Sequence, residues 1–573
     1  MPKYSSRRLR RIVALLALPA VVAAGCSTLP SNTSPQVLRS YDPAPQVQPM
    51  VGPQDGQEPD LLVRDFYRAS ALPSGDYAAA RAFLTPEAAR EWDPEAEILL
   101  VDAIDLTTRG SASSGDARTL EVRGNVIGTL EEGGSYITQN GGYEASIELA
   151  KVDGQWRIKD LPAGVVIERN ELRNQYQPEN LYFYAGSGQA LIADRRWVFA
   201  GKDTLDTELI TLLMEGPAPS LEPAIRTVLP PGAVFAGVED GAYRFNGLAG
   251  MNEEDRMRFA AQLVWTLTTA GVPAPYEAIA DGSPLLPELE EMTPDDFADY
   301  NPRASTNTVP GLFALNKGNV LRVTGTHVEP ISGPLGDGGN VESAEISAVD
   351  KVAAVRSTGE RSRLYLGDLS GTPVQAIEAK TLSRPTFERG GEAVWTVVDG
   401  QKVNRYVRSA TSGQVVETEV DTSALENLSG EISVLRLSVD GARVAMIIDG
   451  KIYTGVNVRE DNGSRRVVSV REIASELGGM ALSLDWQPDG SLVVGTSSPD
   501  SPVWRVEQDG SSLTTLPSGN ITAPVVSIAA NQSTIFATDA HATLQLSSTD
   551  ATSSFWREVP GLQGMRSAPI VAN

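Results

Sequence analysis

From Val309 onward a short aliphatic run keeps returning behind a turn: VAAV at Val352, AVWT at Ala393, VAMI at Val444, LVVG at Leu492 and IFAT at Ile535, with LFAL at Leu312 before them. Starts fall about 40 to 50 residues apart, and only short strands separate them; that period marks units which bury their faces against neighbouring copies. Turn residues precede four of the runs: Asp350, Gly390-Gly391, Asp440-Gly441 and Asp489-Gly490. The pattern predicts an all-β propeller of about six blades over residues 309–573. Its last strand, RSAPIVAN, is expected to join the first blade and close the ring.

Upstream the periodicity changes. In DLLVRDFYRASALPSGDYAAARAFL, Leu61, Leu62, Phe66, Tyr67 and Ala71 fall at helical spacing, as do Tyr77, Ala80, Phe83 and Leu84. Alternating segments follow at AEILLVDAIDLTTRG, ARTLEVRGNVIGTLE and YEASIELAKVDGQWRIKDLP. Helices followed by an antiparallel sheet give an α+β domain over residues 60–172. Its order resembles a nuclear-transport-factor-like (NTF2-like) or cystatin-like cone, with Tyr67, Trp92 and Trp156 read as core aromatics rather than ligand contacts.

Residues 173–296 form a second α+β unit. NLYFYAGSGQALIADRRWV reads as a hairpin turning at Gly186 to Gly188; no lysine and helix follow, so a phosphate-binding loop is disfavoured. DTLDTELITLLMEGP reads as a helix stopped at Gly216-Pro217. NEEDRMRFAAQLVWTLTTAG reads as a second helix, capped by Asn252. The ordered segments LLMEGP, LPPGAVF, AQLVWTLT and the DG at Asp281 resemble a GerMN domain, which implies an interaction module whose leucines, glycines and prolines are scaffold. PELEEMTPDDFADYNP, residues 287–302, holds six carboxylates and no cation. It is expected to stay solvated, running into an acidic linker at 297–308, with metal binding the weaker reading.

The amino terminus addresses the chain. Residues 1–11 carry Lys3, Arg7, Arg8, Arg10 and Arg11 without a carboxylate, and the apolar stretch Ile12 to Ala24 follows. As a helix, that stretch rises about 20 Å against a hydrocarbon core of about 30 Å, so residues 1–25 read as an export signal rather than a span. Cys26, the chain's one cysteine, stands directly behind it in AAGC, which resembles a lipobox. The resemblance implies cleavage between Gly25 and Cys26, an S-diacylglycerol on Cys26 and an N-palmitoyl chain on the new terminus. Two or three such chains, at about 0.8 kcal/mol per buried methylene, hold a protein on a bilayer. Residues 26–59 then form a proline-rich tether with a reach on the order of 100 Å.

Chemistry is sparse. A formal net charge of −25 and the lack of a basic stripe exclude nucleic acid as a partner. No GxSxG, HExxH or P-loop occurs. His327 and His541 fall in the first and last blades, where ring closure offers at most a two-ligand metal pair; isolated surface histidines are favoured. Trp395, Trp486, Trp504 and Trp556 suit either sugar stacking at a propeller mouth or blade cores. No catalytic residue, metal or cofactor is expected.

Lipobox, tether, α+β domain, GerMN domain and propeller in this order resemble the actinobacterial LpqB lipoproteins along nearly the full chain. That resemblance implies a lipid-anchored accessory protein on the outer face of the cell membrane. It would contact the extracellular sensor domain of a histidine kinase, as in the MtrA and MtrB two-component system, with a role in envelope homeostasis and division. A cell-wall glycan or peptidoglycan receptor is the alternative, and an enzyme with polar groups in the propeller channel a further one.

Overall fold

Helix Pro59–Ser70 opens the first domain with a proline in its first turn, where the missing N–H costs nothing. The computed structural model describes residues 52–108, 115–186, 188, 190–201, 203–302, 310–548 and 554–572, and these described residues belong to one compact unit. The helix buries Leu62, Val63, Phe66 and Tyr67. These pack on a five-stranded sheet ordered Gln155–Asp160, Tyr136–Val152, Ala117–Leu130, Ile98–Thr108, Val165–Glu168. The last strand is parallel to its neighbour and the others are antiparallel. Trp92 stands edge-on to Phe66 with centroids 5.6 Å apart. Tyr67 is buried beside it, while Trp156 is half-buried beneath Arg118 and Lys151. Tyr67 and Trp92 are therefore core aromatics, and Trp156 packs against the edge of that core.

The second domain opens with the expected hairpin. Gln177–Ala185 pairs with Leu191–Val198, and Gly188 donates its N–H to the Ala185 carbonyl at 2.7 Å. Helix Glu253–Thr269 is capped as expected, since Asn252 Oδ1 accepts the Asp255 N–H at 2.9 Å. Its apolar face, with Phe259, Leu263, Val264 and Leu267, shares a core with helix Leu205–Glu215. A sheet ordered Ser283–Pro284, Tyr276–Ala280, Ala242–Asn246, Val234–Glu239 completes the unit. Asp281 receives the Gly247 and Leu248 N–H groups at 2.8 Å each, so this motif residue pins a loop.

The acidic stretch 287–302 departs from its expected solvation. Met292 pairs with Tyr276, Phe297 is fully buried, and the indole of Trp265 donates to the Phe297 carbonyl at 3.0 Å. Asp296 closes a capping box with Thr293. Its carboxylates face water, but two apolar residues nail the backbone down, and an apolar anchor outweighs the solubility of its neighbours.

The carboxy-terminal region builds six four-stranded sheets among the described residues. Every aliphatic run named above is the second strand of its sheet: Leu312–Asn316, Lys351–Ser357, Ala393–Val398, Arg443–Ile448, Leu492–Thr496 and Thr534–Thr538. Being sandwiched in sheet and between blades, these strands are apolar on both faces. The innermost strands are Val341–Ile346, Thr386–Phe387, Ile432–Leu437, Ala481–Trp486 and Ser527–Ala530, in blades 2 to 6. In blade 1 that place is taken by Ala568–Val571, which pairs antiparallel with Leu312–Asn316. Innermost strands touch their neighbours round the ring, so the propeller is closed by its last strand.

Candidate functional site

Three innermost strands carry an ion where a core residue would be expected, each at the penultimate position: Glu345 in VESAEI, Arg436 in ISVLRL, Asp485 in ALSLDW. Ring closure brings them together on the channel axis. Arg436 grips Glu345 through Nη2 to Oε1 at 2.7 Å and Nη1 to Oε2 at 2.9 Å, and its Nε donates to Asp485 Oδ1 at 3.1 Å. Arg384 adds a bond from Nε to Glu345 Oε2 at 2.9 Å. Backbone carbonyls supply the rest, Pro385 accepting from Arg436 and Ile528 from Arg384. The set thus spans blades 2 to 6, with two cations matched to two anions.

Glu345, Arg436 and Asp485 are each no more than 4% exposed. Burial raises the Glu345 carboxyl, but Arg384 and Arg436 outweigh it and hold the group below the usual carboxylate range. Burial pushes Asp485 the other way, outweighing the pull of Arg436 and Arg384, and Glu345 adds repulsion. Asp485 Oδ1 also receives the Trp486 N–H at 3.1 Å, whereas its Oδ2 has no hydrogen-bond partner among the described residues.

Above this floor the inner hairpins open into a cavity of about 270 Å³. Phe387, Leu437 and Trp486 contribute to its wall; Val349, Arg389, Val439, Pro488 and Gln532, from the hairpin tips, form its rim. Val349 and Val439 are 54% and 46% exposed, apolar side chains at turn tips where polar residues are customary. What such a place can do is accept a hydrogen bond and shelter an apolar body. Its carboxylates are engaged by arginine, the Ser438 hydroxyl is tied to Asp440 in a turn, and the Thr386 hydroxyl accepts the Leu437 N–H.

The other candidates fall apart in space. Trp395, Trp486 and Trp556 are fully buried, their indoles donating to Glu388 at 2.9 Å, the Arg436 carbonyl at 3.1 Å and the Pro517 carbonyl at 2.7 Å. Trp504 is half-buried and donates to the Ser501 carbonyl. They are blade cores. His327 is exposed beside Glu329, and the backbone N–H of His541 is fixed by Asp539. Among the described residues no group of three or more His, Cys, Asp or Glu side chains is placed to hold a metal ion. Gly25 and Cys26 lie outside the described residues. Glu345, Arg384, Arg436 and Asp485 escaped sequence reasoning; for three of them the signal was a charge four or five residues before the turn residues Asp350, Asp440 and Asp489.

A second polar centre lies where the domains meet. Arg195 of the second domain stands 3.4 Å from Glu507 and 3.3 Å from Asp509 in blade 5, and Arg443 of blade 4 donates to the Ala193 carbonyl at 2.7 Å. From the first domain, Arg169 reaches Glu476 at 2.7 Å. Ile192, Leu221 and Ala224 pack beneath against Ala442, Val456 and Val458.

Comparison with known proteins bears on these features. The family described as "Lipoprotein LpqB, N-terminal domain" matches residues 52–173, "Sporulation and spore germination" matches 180–286, and "Lipoprotein LpqB beta-propeller domain" matches 318–572. Lipoprotein LpqB of Corynebacterium diphtheriae is 43% identical over 98% of this chain and 99% of its own length. The protein of that name from Rhodococcus opacus is 36% identical over 99% of both chains, and that from Mycobacterium bovis 32% over 98% and 99%.

Proposed function

The chain belongs to the LpqB family of actinobacterial lipoproteins, and from that membership we propose that it is held by acylated Cys26 on the outer face of the cell membrane and acts by binding. The proposed partner is the extracellular sensor domain of a histidine kinase of the MtrB type, whose output the lipoprotein adjusts in envelope homeostasis and division. No helix among the described residues is long and apolar enough to cross a membrane, which agrees with attachment through a lipid.

The observation that carries this reading is the propeller channel. A polar cluster does lie there, yet arginine neutralises its carboxylates and no base faces a nucleophile, so recognition is the chemistry left to it. The buried tryptophans argue against glycan stacking. Tethering lipoprotein and kinase to one membrane face raises their effective concentration, so a weak contact is occupied. Regulation follows when one kinase state is bound better than the other.

The test is a pull-down of the purified mature chain with the kinase's extracellular region. Retention of the kinase region is expected. Its failure to be retained, with folding verified by circular dichroism, refutes the partner assignment. Separately, Cys26→Ser should move the protein from the membrane fraction to the soluble fraction, and mass spectrometry of the native protein should find an acylated amino terminus.

A further inference from the structure

The channel mouth has the features of a socket for one side chain. Its volume of about 270 Å³ lies below the range of about 300–1,000 Å³ that holds drug-sized ligands. It exceeds the roughly 150 Å³ in which a single benzene ring is accommodated. The walls are apolar at Phe387, Leu437 and Trp486, and so are the rim residues Val349 and Val439. The floor is charge-balanced, so a fully charged group entering it would need a counter-ion that the site does not offer. A carboxylate oxygen lines it as well: Asp485 Oδ2, on a residue 3% exposed, takes no hydrogen bond from the described residues. An N–H or O–H entering the cavity can donate to that oxygen.

We propose that this mouth binds one aromatic side chain carrying a polar hydrogen, the indole of tryptophan or the phenol of tyrosine, presented by an extended segment of a partner protein. The ring fills the apolar cavity between the blade 2 and blade 4 hairpin tips, and its N–H or O–H donates to Asp485 Oδ2. Tryptophan and tyrosine are the residues that most often anchor protein interfaces, because each joins a rigid apolar body to one donor. The inference rests on the reading of this protein as a binder of other proteins and adds where, and by what chemistry, the partner is gripped.

The test uses the full lipidated chain in nanodiscs and three probes, followed by saturation-transfer NMR and calorimetry. N-acetyl-tryptophanamide should bind saturably. Its 1-methylindole counterpart, which keeps the ring but lacks the N–H, should bind at least about tenfold more weakly, as should N-acetyl-phenylalaninamide. The rim variant Val349→Lys/Val439→Lys changes only exposed positions and should abolish binding while leaving the melting temperature unchanged. No saturable binding of the tryptophan probe, equal binding of the methylated probe, or undiminished binding to the rim variant would overturn the proposal. The rim variant is also carried into the kinase pull-down. Equal retention by wild type and variant refutes the socket and leaves the partner assignment standing. Saturable probe binding that the rim variant loses, with no kinase retention by either protein, refutes the partner and upholds the socket.

Discussion

Arg436 is the residue on which the channel turns. Two carboxylates from different blades converge on it, and it is the arginine that hydrogen-bonds both. Replacing one member of a buried ion pair typically costs about 3–5 kcal/mol, since the partner is left charged and dry. Arg436→Met should therefore lower stability by about that amount in urea unfolding. Adding Glu345→Gln should give part of it back, because Arg384 and Asp485 then remain as one cation and one anion. Additive losses in this double-mutant cycle would show that the four groups do not act as a set. A different pH signature is built into Glu179 on the second domain's hairpin. Burial pushes its carboxyl up to about 7 despite the pull of Arg195. Between the ordinary 4.5 and that value the folded protein keeps a proton the unfolded chain has lost, so stability falls as pH rises through this window. Glu179→Gln should match wild type below pH 4.5 and be the more stable above pH 7, read as the difference between their melting temperatures. A constant difference across the range would refute the assignment.

At the scale of elements, the closing strand Ala568–Val571 matters most, because a propeller without it exposes the faces of blades 1 and 6 at once. Ile570, 2% exposed, packs with Phe313, Val341 and Ala344 across the seam between blades 1 and 2. Ile570→Asp should make the first blade a site of rapid proteolytic cleavage near residues 317–326, and mass spectrometry of the fragments would locate it. Resistance equal to wild type would show that the ring holds without this strand. The same contrast between strands explains what the sequence made legible. Second strands such as VAAV and VAMI are apolar on both faces and announce themselves, and the closing strand was found because the ring needed one. Innermost strands hold Glu345, Arg436 and Asp485, and a charge in a short run reads as solvent or turn. Their partners lie in other blades and become neighbours only when the ring closes, so no local pattern could pair them. The acidic stretch misled for the opposite reason: its carboxylates outnumber Met292 and Phe297, yet those two buried side chains decide where the backbone lies.

For the whole molecule, the question is whether the three domains act as one body. The contacts favour it. Arg195 and Arg443 knit the second domain to blades 4 and 5, Arg169 ties the first domain to Glu476, and Ile192 is wholly buried against Ala442, Val456 and Val458. A rigid body presents its channel mouth in a fixed relation to the other domains, so a partner touching two of them gains from both contacts without ordering a hinge. Ile192→Asp puts an unpaired carboxylate into that apolar seam and should cost more than the seam supplies. Its radius of gyration in small-angle scattering should rise above that of wild type. Wild type should melt in one calorimetric transition and the variant in two, the propeller keeping its own midpoint. If the variant scatters and melts as wild type does, the domains are not held by this seam, and a partner would have to be recognised by one domain alone.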